Sequence, residues 1–178
     1  FLGLDSKNNS GSLFYKEAIK KKASLILINK KISHPNIVYV KDMTKFIKNF
    51  CQFVLNNYNG KIIAITGSVG KTTTKENIYH ILKNNNFKVY RSYKNFNNLQ
   101  GLQFSIMNLQ ADTDYSVFEL GINNPNEMNK LVKILRPHYC LITCIENSHI
   151  GNFKNMKHLI DNKLKIFKSD RLINGLIN

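Results

Sequence analysis

Residues 62–74 read Ile-Ile-Ala-Ile-Thr-Gly-Ser-Val-Gly-Lys-Thr-Thr-Thr, an apolar β-branched run followed by a turn with two glycines and a polar segment. The run predicts a buried strand, and the Gly-Lys-Thr after the turn predicts the start of a helix. Gly67 and Gly70 let successive backbone N–H groups face a phosphate with no Cβ in the way. The helix N-terminus adds partial positive charge. We therefore predict a phosphate-binding loop.

Two side chains of this loop have roles that their chemistry suggests. Lys71 would reach the terminal phosphates of a nucleotide, and the hydroxyl of Thr72 would bind the Mg²⁺ that bridges them. The match to the pattern GxxxxGK[ST] is imperfect, because Ile65 occupies the position of the first glycine. The alternative is a glycine turn and helix start that bind nothing. The order of strand, turn and helix favours the phosphate loop.

Outward from the loop, apolar runs and helical patterns alternate regularly. Strands are predicted over 61–66, 87–90, 115–120, 139–145 and 172–177, and helices over 71–84, 99–109, 126–135 and 155–168. Strands separated by helices of this length pair in parallel through right-handed crossovers. The predicted fold class is α/β, with a mostly parallel sheet flanked by helices.

The residues before this alternation form shorter elements. A helix is predicted over 14–22, strands over 25–28 and 37–40, and a longer helix after Asp42, which is a plausible N-cap. A turn-rich break covers 56–60. We therefore predict two partial domains, 1–58 and 59–178.

The formal net charge of +15 raises the possibility of nucleic-acid binding. Only residues 20–22 form a lysine run, and arginine occurs only at Arg91, Arg136 and Arg171. This scatter favours a solvated basic surface and no nucleic-acid partner. A nucleic-acid-stimulated ATPase of the phosphate-loop class stays as the alternative from another functional class.

Several features bear on the compartment. No apolar run approaches the roughly 18 residues that a membrane helix needs, and no charged-then-apolar leader is visible. Cys51, Cys140 and Cys144 have no CxxC spacing, which favours neither a disulfide framework nor a zinc site. We expect a protein of the reducing cytoplasm. Because the chain opens with Phe1 and ends in a predicted strand, we expect a fragment.

The loop Thr66–Thr73 resembles that of the Mur ligases, the ATP-dependent amide-bond-forming enzymes of bacterial peptidoglycan synthesis. Further stretches that resemble this family are Lys94–Gly101 (KNFNNLQG), Val117–Gly121 (VFELG), Arg136-Pro137 with Leu141–Thr143 (LIT), and Ser148–Phe153 (SHIGNF) with Lys163–Phe167 (KLKIF). The resemblance is weak before Lys61 and strong after it. KNFNN favours the branch that adds D-alanyl-D-alanine to UDP-N-acetylmuramoyl-tripeptide over the sister branch that adds the third amino acid.

The resemblance implies a role for each matching residue. The phosphates of ATP would be held by Gly67, Ser68, Val69, Gly70, Lys71, Thr72 and Thr73. Glu119 would bind Mg²⁺ directly or through water, and His149 would bind a second Mg²⁺. Asn97 or Asn98 would lie near the γ-phosphate or the acyl site. Such ligases phosphorylate the substrate carboxylate, and the incoming amine then displaces phosphate from the acyl phosphate.

Lys163 is a further candidate, because Met156, Ile160, Lys163 and Phe167 form one stripe at helical spacing. A lysine on an apolar face loses hydration, and its pKa falls. A neutral amine reacts with CO₂ to give a carbamate, an anion that can hold Mg²⁺, and family members often carry a carbamylated lysine here. The alternative is a side chain whose amine reaches water. With the family considered, we count Lys71, His149 and Lys163 as catalytic.

The resemblance also sets limits on what we expect of the chain. Residues 10–14 read Ser-Gly-Ser-Leu-Phe, without the Asp and His of the family stretch (DGHDF) that helps to hold the uridine nucleotide. The family's adenine-binding segment and third domain have no counterpart in these residues. We expect little ligase activity from the 178 residues alone. The implied partners are the two ligase substrates, and a monomer is expected.

Overall fold

The computed structural model describes residues 1–5, 9–94, 96–146 and 150–178. They form two compact units, Phe1–Phe50 and Cys51–Asn178. The division at residue 58, with its assignment of roles to the two parts, stays a prediction. Within the described ranges, every helix is too short or too polar to cross a membrane.

The first unit is a small α/β assembly. A 3-10 turn at Gly11–Phe14 leads into α1 (Tyr15–Lys20), and β1 (Ile26–Ile28) pairs in parallel with β2 (Ile37–Tyr39). Ala18 packs with the buried β1 residues Ile26 and Ile28 to form the core of the unit. The predicted helix over 14–22 is shorter in the structure, because Lys22 adopts a left-handed conformation with φ of 57°.

Helix α2 (Met43–Asn56) follows and spans the boundary between the two units. The carboxylate of Asp42 accepts a hydrogen bond of 2.9 Å from the backbone N–H of Lys45, which satisfies one of the free donors at the helix start. The predicted N-cap is therefore confirmed.

The second unit is built on a sheet whose described strands are all parallel. Its strands are β3 (Lys61–Thr66), β4 (Val89–Arg91), β5 (Tyr115–Glu119), β6 (Tyr139–Ile142) and β7 (Asn174–Ile177). They lie side by side in the order β4-β5-β3-β6-β7. The helices are α3 (Lys71–Asn84), α4 (Leu99–Met107), α5 (Glu127–Leu135) and α6 (Met156–Leu164), which continues as a 3-10 helix at Lys165–Lys168. The predicted fold class is confirmed.

The strand order decides where a ligand site can form. β3 and β6 are adjacent, but the connection after β3 runs to β4 at one edge of the sheet, whereas the connection after β6 runs to β7 at the other edge. In parallel α/β sheets, ligands bind at the carboxyl ends of the strands where the order reverses in this way. The residues that end β3, β5 and β6 or follow them directly are Thr66, Glu119 and Thr143.

One strand ends earlier than its composition predicts. Residues 143–145 continue an apolar, β-branched pattern, yet β6 stops at Ile142. The backbone carbonyl of Cys144 instead accepts a 2.6 Å hydrogen bond from the N–H of Ser68. The phosphate loop therefore uses backbone groups that would otherwise extend the strand.

Candidate nucleotide and metal site

The loop between β3 and α3 follows a backbone path that requires glycine. Gly67 has φ of 154° and Gly70 has φ of 83°, values that L-residues rarely adopt. A Cβ added at Gly67 would also collide with the hydroxyl of Thr143. Gly67 and Gly70 are therefore both required by the backbone conformation of this loop.

Residues after β6 hold this loop in shape. The hydroxyl of Thr143 donates a 2.5 Å hydrogen bond to the carbonyl of Val69. The hydroxyl of Ser68 donates to the carbonyl of Glu146 at 3.1 Å and accepts from its N–H at 2.9 Å. No sequence motif indicated these roles of Thr143 and Glu146. The available signal was a polar residue directly after an apolar strand in a parallel sheet.

Two lysines converge on the loop. Nζ of Lys71 donates to the carbonyls of Gly67 at 3.0 Å and Ser68 at 2.9 Å. Nζ of Lys163 donates to the same Gly67 carbonyl at 2.8 Å, and Lys163 is only 5% exposed to solvent. Burial, with a smaller contribution from the charge of Lys71, lowers the pKa of Lys163 to about 8. Lys163 therefore lies at the phosphate loop with its amine buried, and it loses its proton far more readily than an exposed lysine.

Glu119 joins the loop to the segment before α4. It ends β5 and is 2% exposed. The hydroxyl of Thr72 donates to Oε2 at 2.7 Å, and Nδ2 of Asn97 donates to Oε1 at 2.8 Å. Each carboxylate oxygen thus has a partner from a different part of the chain. The arrangement holds an anionic oxygen pair beside the first turn of α3.

The remaining candidate residues have distinct placements. Asn98 caps α4, since its Oδ1 accepts from the N–H of Gly101 at 2.8 Å, so Asn97 is the asparagine that contacts Glu119. Val69 is exposed on the loop, and Thr73 is exposed on the first turn of α3. His149 lies outside the described residues.

The donor set suits a hard divalent cation. The hydroxyl oxygen of Thr72 and the carboxylate of Glu119 are oxygen ligands, which Mg²⁺ prefers. The described part of the chain holds no group of three or more His, Cys, Asp or Glu residues placed to bind a metal. Mg²⁺ does not require three protein ligands, because it usually keeps several water ligands and binds one or two carboxylates together with substrate phosphates. The residues present therefore fit Mg²⁺ bound together with a nucleotide.

A parallel α/β sheet whose central strand leads through a glycine loop to a Lys-Thr helix start defines a P-loop nucleotide-binding domain. Residues 65–176 match the model of the Mur ligase middle domain. Because this match covers more than half of the chain, the chain belongs to the Mur ligase family. The resemblance seen in the sequence motifs is confirmed.

The chain is similar to several members of one branch of this family. The chain is 34% identical over 165 residues to the UDP-N-acetylmuramoyl-tripeptide–D-alanyl-D-alanine ligase of Rickettsia prowazekii, an alignment that covers 91% of this chain and 36% of the relative. The crystal structure of MurF from Acinetobacter baumannii aligns with a TM-score of 0.84 at 25% identity, covering 99% of this chain and 40% of that one.

A second solved structure carries a nucleotide. MurF ligase from Thermotoga maritima, in complex with ADP, aligns with a TM-score of 0.80 at 28% identity and covers 99% of this chain and 42% of that chain. The present chain spans little more than a third of the length of the Rickettsia prowazekii ligase.

Proposed function

We propose that this chain supplies the ATP-binding part of a ligase that joins D-alanyl-D-alanine to UDP-N-acetylmuramoyl-tripeptide in peptidoglycan synthesis, with Mg²⁺ as cofactor. The observation that carries the proposal is the contact of Thr72 and Asn97 with the two oxygens of Glu119. It brings the phosphate loop and the KNFNN segment to one carboxylate. The similarity to D-alanyl-D-alanine ligases, one of them solved with ADP bound, supports the same assignment.

Each residue of the site has a task in that reaction. Backbone N–H groups of 67–73 and the amine of Lys71 bind the nucleotide phosphates, and Lys71 exchanges its present carbonyl partners for phosphate oxygens. Thr72 and Glu119 would hold Mg²⁺, which when bound would supply positive charge to the transferring oxygens. The acceptor carboxylate attacks the γ-phosphorus of ATP and releases ADP. The dipeptide amine then attacks the carbonyl carbon of the acyl phosphate, loses a proton to solvent and expels phosphate. Asn97 keeps Glu119 oriented throughout.

We propose that Lys163 acts as a carbamate. Its neutral amine forms a bond to the carbon of CO₂ and releases a proton to solvent, which leaves an anion beside Gly67. The pKa of about 8 makes the neutral amine available near neutral pH. The carbamate would bind Mg²⁺, and His149 would contribute to a second Mg²⁺ site.

For the first unit, we propose binding of the uridine nucleotide part of the acceptor. A pocket of about 880 Å³ lies within this unit and is lined by Asp5, Asn29, Lys41 and Lys45, among others. The buried hydroxyl of Ser12 donates to Oδ1 of Asn29 at 2.5 Å, and Nδ2 of Asn29 donates to Asp5. This polar network would take the place of the Asp and His that residues 10–14 lack. Lys41 and Lys45 would contact a diphosphate, in a pocket that Asp5 and Asp42 also line.

We further propose that the protein works as a monomer in the bacterial cytoplasm, without a nucleic-acid partner. ATP and nucleotide-activated peptides are cytoplasmic compounds, which supports this compartment. Size-exclusion chromatography with light scattering tests the oligomeric state. Phosphate release that RNA or DNA stimulates, and that salt abolishes steeply, would contradict the absence of a nucleic-acid partner.

The product of the complete reading frame that contains these 178 residues tests the ligase proposal. The assay supplies ATP, Mg²⁺, UDP-N-acetylmuramoyl-tripeptide and D-alanyl-D-alanine, and measures phosphate release and product mass. We expect amide product only when both substrates are present. Product from a single diamino acid and the UDP-dipeptide acceptor would instead assign the sister reaction.

The same assay tests the carbamate. Lys163→Ala removes the amine, and we expect it to abolish turnover, with partial rescue by a short carboxylate such as acetate. Unchanged turnover in this variant would remove the carbamate from the proposal. Lys133→Ala, at an exposed position of α5, is the matched control and should retain turnover.

A further inference from the structure

A lysine outside the family motifs quoted above is completely buried. Lys75 on α3 is 0% exposed, which is rare for lysine unless its amine is paired. Its Nζ lies 3.0 Å from the carbonyl oxygen of Ser92, 2.6 Å from that of Lys94 and 3.4 Å from Oε1 of Glu76. Three acceptors match the three N–H donors of an ammonium group.

The two carbonyls belong to the segment that carries Asn97. Ser92 begins this segment directly after β4, and its hydroxyl accepts from the N–H of Glu119 at 3.3 Å. Lys94 has a left-handed backbone with φ of 46°. At the far end, the carbonyl of Asn97 accepts from the N–H of Gly121 at 2.9 Å. Lys75 therefore binds the backbone at Ser92 and Lys94, a few residues before Asn97, which contacts Glu119.

Helix α3 thus interacts with Glu119 in two ways, one direct and one through the residues that precede α4. Thr72 contacts Oε2 directly, whereas Lys75 lies three residues further along the same face and holds the segment whose Asn97 contacts Oε1. A side chain that only filled space here would be apolar, because an amine loses hydration on burial and needs hydrogen-bond partners to offset that cost. The partners of Lys75 are the backbone carbonyls of Ser92 and Lys94, together with the carboxylate of Glu76.

We infer that Lys75 is a positioning residue for the divalent cation: it holds the 92–97 segment so that Asn97 and Thr72 keep both oxygens of Glu119 oriented. This inference rests on the proposed nucleotide and Mg²⁺ site. Lys75 touches neither ligand and acts only through Ser92, Lys94 and Asn97.

The test compares ADP binding by the 178-residue chain with and without Mg²⁺, measured by calorimetry. Lys75→Met conserves the length of the side chain and removes the amine. We expect the gain in ADP affinity that Mg²⁺ provides to fall by about 10-fold or more, the usual effect of removing a group that orients a metal ligand. ADP affinity without Mg²⁺ should be unchanged. Lys83→Met, at an exposed position of the same helix, is the matched control.

A double-variant cycle identifies the route of the effect. If Lys75 acts through Asn97, then Lys75→Met combined with Asn97→Ala should lose no more Mg²⁺-dependent affinity than Asn97→Ala alone. Fully additive losses would overturn the inference. So would an unchanged Mg²⁺-dependent gain in Lys75→Met.

Amide hydrogen exchange supplies a readout that needs no ligand. The N–H of Gly121, which donates to Asn97, should exchange faster in Lys75→Met, while the N–H of Ile63 in β3 keeps its protection. Wild-type chain that binds no ADP would contradict the proposed function, and exchange at Gly121 would still test Lys75. Should Lys75→Met not fold, Lys75→Gln, which keeps an N–H donor, carries the same measurements. Failure of both variants to fold would overturn a positioning role, because Lys75 would then be required for folding.

Discussion

The hydroxyl of Thr72 lies 2.7 Å from Oε2 of Glu119, although 47 positions separate the two residues along the chain. The contact forms because β3 and β5 are adjacent parallel strands, so that the loop after one and the last residue of the other meet at the same edge of the sheet. It places a hydroxyl and a carboxylate together where a nucleotide's bridging cation would lie.

This contact makes Glu119 the most informative acidic residue to change. Glu119→Gln keeps the side-chain volume and one acceptor oxygen but removes the negative charge that attracts a cation. We expect the Mg²⁺-dependent part of ADP affinity to fall by about tenfold, or ~1.4 kcal/mol. Calorimetric titrations with and without Mg²⁺ measure it, with Glu17→Gln on α1 as the control. Equal Mg²⁺ dependence in Glu119→Gln and wild type would exclude Glu119 as a metal ligand.

The glycines of the phosphate loop differ in a way that stability measurements can resolve. Gly67→Ala places a Cβ against Thr143 and imposes strain at φ of 154°, whereas Gly70→Ala imposes strain alone at φ of 83°. We expect each to lower the free energy of unfolding by about 1–3 kcal/mol, with the larger loss at Gly67. Urea unfolding measures these changes. Gly151→Ala, where a Cβ would meet no atom within 4 Å, is the control for stability. Losses no larger at Gly67 than at Gly151 would be inconsistent with the loop described here.

Sequence patterns predicted much of this framework. The bounds of β3 and α3 agree with the prediction, because an apolar β-branched run, a glycine turn and a long helical pattern leave little freedom in where each element begins. The end of β6 was not predictable from composition. Cys144 and Ile145 suit a strand, but residues 143–146 instead form hydrogen bonds with Ser68 and Val69 of the loop after β3.

Within the site, the sequence identified residues more readily than contacts. Glu119 and Lys163 came from motifs, but the choice between Asn97 and Asn98 depends on which one caps α4. Lys75 was missed because it lies in the polar run Thr-Thr-Thr-Lys-Glu-Asn, which resembles a solvent-facing surface. Its amine is paired with the carbonyls of Ser92 and Lys94, which lie 17 and 19 positions further along the chain, and no local sequence pattern indicates such contacts.

The pKa of Lys163 gives a prediction for stability against pH. Its pKa is lowered from 10.5 to about 8 in the folded chain, so below pH 8 both states carry the proton and the cost of burying the charge is fully present. Between pH 8 and 10.5 the unfolded chain binds more protons, and stability rises with pH. Relative to Lys163→Met, wild type should gain up to about 1.4 kcal/mol per pH unit in this window. Urea unfolding at several pH values in CO₂-free buffer measures the difference, and a difference that does not change with pH would show that the amine is not buried.

His138 predicts a pH effect at the opposite end of the sheet. Its Nδ1 accepts a 3.0 Å hydrogen bond from the N–H of Ile62, and burial, followed by the charges of Lys61, Arg171 and Arg136, lowers its pKa below 6.5. The unfolded chain therefore takes up the proton first as the pH falls through 6.5, and the folded state loses stability.

Replacement of the histidine tests this account. His138→Gln should make the free energy of unfolding less dependent on pH below neutrality, as thermal or urea unfolding between neutral and mildly acidic pH would show. His80→Gln, at an exposed position of α3, should keep the wild-type dependence. Identical pH profiles for wild type and His138→Gln would show that protonation of His138 does not limit stability.

The central claim is that the loop between β3 and α3 binds a nucleotide's phosphates through Lys71. The most direct measurement is calorimetric titration of the chain with Mg·ADP, for wild type, Lys71→Met and the exposed control Lys133→Met. We predict saturable binding by wild type and Lys133→Met, and a loss of about 1.5–3 kcal/mol in Lys71→Met, because that variant lacks the charged donor to the phosphates. Wild-type chain that does not bind Mg·ADP, or Lys71→Met that binds it equally well, would contradict the claim.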